Sequence, residues 1–278
     1  VATGFHAIEF LLWGQDLAGY NYGAGNRSYQ DYLVSSCAVG HCQKRRDYLL
    51  AVTNLLVSDL EEMAGLFEAK NGQVVKRWQK TRKDQVLEQI ISGLASFTYG
   101  ELAGERMQLG LLLGDPEEEH DCFSDLTHLS HYFNVVGIQN IYQGSYSNFH
   151  NQIMAGSSLS DFVSLINHDL NQKLSRAIKK SKQKVQLLYD RAEGLRPKGS
   201  SPMSYDMMLN PKNKEGRELV LGVVNALKGQ TDLLVILSKQ LGLQKLVYEG
   251  SDSLDYPSKV LTSHHTDSTL PSHQDKSK

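Results

Sequence analysis

The sequence predicts an all-α protein built of helical bundles, and three observations carry that prediction. Apolar residues recur at spacings of three and four over several long stretches, which places them on one face of a helix. The six prolines, at positions 116, 197, 202, 211, 257 and 271, fall where that pattern breaks, as expected of a residue that cannot donate a helical hydrogen bond. Nothing shows the strict alternation of a half-buried strand.

The elements follow in order. From Arg45 to Phe67, residues Leu49, Val52, Leu55, Leu56, Leu60, Met63 and Leu66 keep the helical spacing with Asp59, Glu61 and Glu62 between them, and Asn71-Gly72 is the stop. A second pattern runs from Val86 through Ile90, Ile91, Leu94 and Phe97 to about Leu113, and Gly114-Asp115-Pro116 closes it. It contains Gly93, Gly100 and Gly104; each costs about 1 kcal/mol against Ala inside a helix, so they imply close packing or room for a ligand. After an acidic loop, Glu117 to Asp125, a third helix is expected over Thr127 to Tyr142, and Gln143 to Ser157 reads as a polar connection.

Ser158-Leu159-Ser160-Asp161 reads as a helix start, with a Ser oxygen for the first-turn amides and Asp at the positive end. The fourth helix then carries Phe162, Val163, Ile166, Leu170, Leu174, Ile178, Val185 and Leu188. Gly194 to Lys214 reads as an irregular loop. Glu215 to Leu241 is the fifth long helix, striped by Leu219, Val220, Val223, Val224, Leu227, Leu234 and Val235 and stopped by Gly242. Residues 251–278, rich in Ser, Thr, Asp, His and Lys, read as a disordered polar tail.

The chain has 278 residues, 40% of them hydrophobic and 22% charged, with a formal net charge of −2. That describes a soluble globular chain of one large domain or two modest ones. It lacks the basic surface expected of a nucleic-acid binder, and Lys179 to Lys184 reads as a solvated helix face because no aromatic residues are interleaved for stacking. No apolar run approaches the ~20 residues of a membrane span. Cys37, Cys42 and Cys122 fit no zinc framework; their odd number leaves one thiol over if a disulfide forms, and three unlinked thiols fit as well.

Chemistry concentrates in three places. His6 and Glu9 are three apart, so on a helix both project from one face and can meet one ion or proton-transfer partner. Glu101 and Glu105 are four apart with Arg106 adjacent, where a Glu can ligate and the Arg can fix a carboxylate. The segment Glu119 to His128 is dense in ligand and general-base types. No H-E-x-x-H is present, and Phe10 follows Glu9 where an inverted zincin motif needs His.

Gly4-Phe5-His6-Ala7-Ile8-Glu9-Phe10-Leu11-Leu12-Trp13-Gly14 resembles the G-x-H-x-x-E signature of the imelysin family. Further matching motifs follow in order: Arg27 to Tyr32, Cys42 to Leu49, Gly100 to Met107, Glu117 to His128, Gly137 to Tyr146, and Asn225 to Thr231 with Leu241-Gly242-Leu243. The resemblance implies an all-α fold of imelysin-like helical bundles over 1–250, with the N-terminal part of the first bundle missing ahead of Val1. It implies export to the periplasm or outer membrane, association there through an N-terminal lipid anchor, and a part in bacterial iron uptake.

Carried over by position, His6, Glu9 and Glu101 are the expected metal ligands. Glu105, Arg106, Ser124, Asp125 and His128 are the polar residues expected around them. Asp121, Leu126 and Ser130 depart from the family pattern, and the last removes one acidic candidate. Cys42 and Cys122 lie in family motifs and are the expected disulfide, leaving Cys37 free. The expected cofactor is a metal ion, iron or zinc, and the expected partner a metal or metal-bearing ligand; the alternative function is a metallopeptidase using His6 and Glu9 as ligands.

Overall fold

Most of the predicted stripes become helices in the computed structural model, which describes residues 2–37, 39–243 and 246–267. The chain begins with α1 (Phe5–Trp13), two short 3-10 turns (Tyr29–Tyr32 and Val34–Ser36), α2 (Cys42–Leu66) and α3 (Gln73–Lys80). Next, α4 (Lys83–Ser96) runs without interruption through a π-helical stretch (Phe97–Gln108) into α5 (Leu109–Leu113). After the loop 114–126 come α6 (Thr127–Gln143) and a hairpin of β1 (Ser145–Ser147) and β2 (Ile153–Ala155). Finally α7 (Leu159–Ile166), α8 (His168–Ala192), α9 (Tyr205–Leu209), α10 (Lys214–Gln240), α11 (Asp252–Asp255) and α12 (Pro257–Asp267) complete the described chain.

The core forms where α10 packs against α8 and the π-helical stretch, with α6 laid on α8. Val220, Val223, Leu227, Leu234 and Leu237 of α10 meet Leu174, Ile178, Val185 and Leu188 of α8 and Leu102 and Met107 of the π stretch, all buried. Each such side chain contributes roughly 1.5–3 kcal/mol of hydrophobic stabilisation. By length and composition alone α10 could cross a membrane; here its stripe is the centre of this core. A buried hydrogen bond of 3.0 Å from Ser181 Oγ to Gln230 Oε1 fixes the register of α8 on α10.

Several elements differ from the sequence reading. The fourth predicted helix is two, because Asn167 adopts an extended backbone and its side-chain oxygen accepts from Leu170 N–H, capping α8. The polar connection after α6 contains the antiparallel hairpin, paired Ser145 to Ala155, Tyr146 to Met154 and Ser147 to Ile153. The stripe of α2 buries only Cys42 and Val52 among the described residues; Leu55, Leu60 and Met63 face outward.

The expected disordered tail also differs over 251–267, which carries α11 and α12. Its attachment explains two of the predicted glycines. A Cβ on Gly100 would lie 2.6 Å from the Glu249 carbonyl oxygen, and one on Gly104 would overlap the Ser251 side chain. These glycines therefore admit a neighbouring chain segment at close approach, and Ser253 Oγ–H donates to the Gly104 carbonyl at 3.0 Å. Residues 268–278 of the expected tail lie outside the described residues.

The disulfide expectation is corrected. Cys37 pairs with Cys42, and Cys122 is the free cysteine. His41, in the left-handed backbone region ahead of α2, turns the chain so that two cysteines five apart have Cα atoms 5.8 Å from each other, within ordinary bridging distance. Cys122 instead lies in the loop before α6, where burial and the neighbouring acids Glu119, Glu117 and Glu9 push its thiol up to about 12.

Candidate functional site

Three elements converge on His6. Helix α1 puts His6 and Glu9 on one face, where His6 Nδ1 lies 3.1 Å from Glu9 Oε2. Glu9 is 8% exposed, and a buried carboxyl group needs hydrogen-bond partners. It finds them in the loop 114–126: Ser124 N–H and Ser124 Oγ–H both donate to Oε1, at 2.9 and 2.6 Å. One oxygen therefore serves His6 and the other is held by Ser124.

The loop earns its shape from local bonds. Asp121 N–H donates to Thr127 Oγ1 at 2.8 Å, tying the loop to the first turn of α6. Asp125, at φ 57°, turns the chain directly after Ser124, a conformation Asp tolerates better than most residues. Its Oδ2 accepts Gly23 N–H at 3.1 Å. This folding brings Asp121 Oδ1 to 3.8 Å from His6 Nδ1 and sets the His120 ring edge-on to His6 with centroids 4.8 Å apart.

The third element is the π-helical stretch. Its i to i+5 repeat pairs Glu101 with Arg106, whose Nε and Nη2 both lie 2.8 Å from Glu101 Oε1. An α-helix would have stacked Glu101 on Glu105 instead. Arg106 Nη1 then reaches His120 Nε2 at 3.0 Å, and because a guanidinium only donates, Nε2 is the acceptor. Burial, reinforced by the Arg106 charge, lowers the His120 pKa. Behind it, His131 stacks on His120 at 6.4 Å and is fully buried. Burial, followed by the charges of His120 and Arg106, lowers His131 to about 3, although the Arg106 backbone favours its protonated form.

One potential ligand atom from each of His6, His120 and Asp121 lies within 4.8 Å of the others. That is a donor set of two imidazole nitrogens and one carboxylate oxygen, suited to iron, zinc and their neighbours. Asp121 Oδ2 is buried without a hydrogen-bond partner, so the group has a donor oxygen to spare. Ligation through His120 uses Nδ1 or displaces Arg106 from Nε2.

The Imelysin (Peptidase_M75) family model matches residues 1–234. The chain belongs to the imelysin family. No curated protein sequence matches it. In this imelysin, the match extends from α1 into α10 and takes in all three elements of the site, whereas α11 and α12 lie beyond it.

The residues singled out from sequence separate into distinct neighbourhoods. His6, Glu9 and Ser124 meet, and Arg106 joins them through His120. Glu101 is bound to Arg106 and is not part of the His6, His120 and Asp121 group. Glu105 accepts Ser251 Oγ–H at 2.6 Å and so anchors the segment ahead of α11. His128 Nε2 lies 2.7 Å from Glu193 Oε1, its ring beside Tyr189. Asp125 turns away to Gly23. Sequence reasoning missed His120 and Asp121 as individual ligands; the only signal was the acidic and His-rich composition of their segment, which does not say which side chain faces His6. The apolar cleft of about 1020 Å³ bordered by Phe67, Trp78, Leu87, Phe97 and Phe162 contains none of these residues.

Proposed function

We propose that this imelysin is a cell-envelope protein that binds a metal ion, or a ligand presenting one, through His6, His120 and Asp121 in the service of iron uptake. The observation that carries the reading is the convergence of these three donors from α1 and the loop before α6. Glu9 orients His6 through Nδ1, which leaves Nε2 for an ion, and Ser124 orients Glu9, the arrangement by which outer groups fix a metal-binding imidazole. The bound ion would supply Lewis acidity or a coordination bond to its ligand. Family membership and the Cys37–Cys42 disulfide both support an envelope location, periplasm or outer membrane, since disulfides persist in oxidising compartments.

A metallopeptidase would use the same ligands but needs a carboxylate free to accept a proton from metal-activated water. Glu9 has both oxygens engaged and so is not that base, and the sequence carries no H-E-x-x-H helix to supply one, which favours binding over hydrolysis. The test is metal analysis of the whole protein purified without an affinity tag, followed by titration with ferrous iron and zinc. About one iron or zinc ion per chain is expected, lost in His6→Ala and in Asp121→Asn and retained in Glu101→Gln. Unchanged binding in both of the first two variants overturns the site. Cleavage of an unfolded substrate that disappears on chelation and in His6→Ala overturns the preference for binding.

A further inference from the structure

We propose that Asp16, Asp125 and Asp206 form a separate binding site for a hard divalent cation of the calcium type, which staples three distant segments of the chain. Asp16 comes from the loop after α1, Asp125 from the loop before α6, and Asp206 from α9. One carboxylate oxygen from each lies within 4.8 Å of the others. All three residues are buried, at 8%, 8% and 1% exposure.

The hydrogen bonding divides the oxygens into held and offered ones. Asp16 Oδ1 accepts Ala18 N–H at 2.7 Å, Asp125 Oδ2 accepts Gly23 N–H at 3.1 Å, and Asp206 Oδ1 accepts Met207 N–H at 2.7 Å together with the Ser204 hydroxyl. Asp125 Oδ1 and Asp206 Oδ2 are buried with no partner. Thus the loops fix each carboxylate by one oxygen, and for two of them the other oxygen is left desolvated.

A fourth acid supplies independent support. Glu119 is 8% exposed, and neither of its carboxylate oxygens has a hydrogen-bond partner of good geometry. It belongs to the same loop as Asp125, six residues ahead of it. Asp206 is raised by burial and by Asp125 and Asp16. Asp125, Asp206 and Glu119 thus carry buried oxygens without a hydrogen-bond partner, next to the buried Asp16, and a divalent cation satisfies such oxygens.

The donor chemistry names the class of ion. Every contributor is a carboxylate, which selects calcium, magnesium or manganese over the softer metals that suit the His6 group. The buried location favours calcium, which accepts six to eight oxygens in irregular geometry, over magnesium, which gives up its water reluctantly. Because Asp125 adjoins Ser124, the ion would also steady the loop that holds Glu9, but the site does not require that His6 bind anything.

The experiment takes the whole chain, strips it with a calcium chelator and titrates calcium or magnesium by calorimetry and by thermal melting. One calcium per chain is expected, with a saturable rise in melting temperature that exceeds the magnesium effect at equal concentration. Asp125→Asn and Asp206→Asn should each weaken calcium binding about tenfold or more while raising the melting temperature of the stripped protein, because an amide relieves the repulsion. That opposite pair of signs separates loss of a ligand from loss of fold. His6→Ala should bind calcium as the parent does, so failure here is distinguishable from failure of the His6 site. Absence of calcium binding by the parent at concentrations on the order of 1 mM, or parental binding by both Asn variants, overturns the proposal.

Discussion

Deleting the Ser124 hydroxyl isolates the contact that holds Glu9. In Ser124→Ala the 2.6 Å bond to Glu9 Oε1 disappears while the 2.9 Å bond from the backbone N–H stays. Both residues are 8% exposed, so water does not readily replace the lost donor. A hydrogen bond to a charged group contributes about 1.5–3 kcal/mol; with one donor retained, the lower part of that range applies, about 1.5–2 kcal/mol. For a chain of this size each kcal/mol lowers the melting temperature by roughly 2–4 °C, giving a fall of about 3–8 °C. The assay is urea and thermal denaturation by circular dichroism in chelator, so that no metal contributes. It is repeated in a Glu9→Ala background, where the carboxylate is gone and the same serine deletion should cost under about 0.5 kcal/mol. The reasoning fails if Ser124→Ala matches the parent within about 0.5 kcal/mol, or if its cost is undiminished without Glu9.

Two further outcomes test the packing around this site. Gly104→Ala gains about 1 kcal/mol in helix propensity but drives a methyl into Ser251. It thereby breaks the bonds from Ser251 to Glu105 and from Ser253 to Gly104, so it should destabilise the protein by about 1–2 kcal/mol and open residues 249–255 to limited proteolysis; an equally stable, equally resistant variant would contradict the attachment. Tyr142, 1% exposed, donates its hydroxyl to Asn171 Oδ1 at 2.7 Å, and burial raises its pKa above the ordinary value of 10.0. The folded state thus retains a proton that the unfolded chain releases above about pH 10. Its stabilising contribution is present below that pH and is lost as pH rises beyond it. Tyr142→Phe should cost about 1 kcal/mol near neutrality and flatten the alkaline decline in urea midpoint; an unaltered decline would show that another group causes it.

Local pattern in the sequence was enough to locate the long helices, because an apolar stripe declares which face must leave water. The runs later seen as α2, α6, α8 and α10 were visible in this way, and Ser158 does accept Asp161 N–H at 2.8 Å as the start of α7 demands. The i, i+3 spacing of His6 and Glu9 placed them together before any tertiary contact was known, and the ordered motifs were sufficient for the family. Periodicity has less to say where a few local bonds override it. Asn167 breaks a continuous stripe by capping, and the i to i+5 winding of 97–108 replaces the expected Glu101–Glu105 neighbourhood with Glu101–Arg106.

Tertiary structure alone decided which residues share a site. His120 and Asp121 face His6 because the turn at Asp125 and the Asp121–Thr127 bond fold the loop back on α1. The same turn sends Asp125 to Asp16 and Asp206 instead of to Glu9. Cys42 found Cys37 and not Cys122 because the backbone at His41 reverses direction there. Composition can say that a segment holds acids, imidazoles and thiols, but a side chain's partner depends on where the backbone aims it. That direction is set by contacts between residues more than a hundred positions apart, such as Ser124 on Glu9.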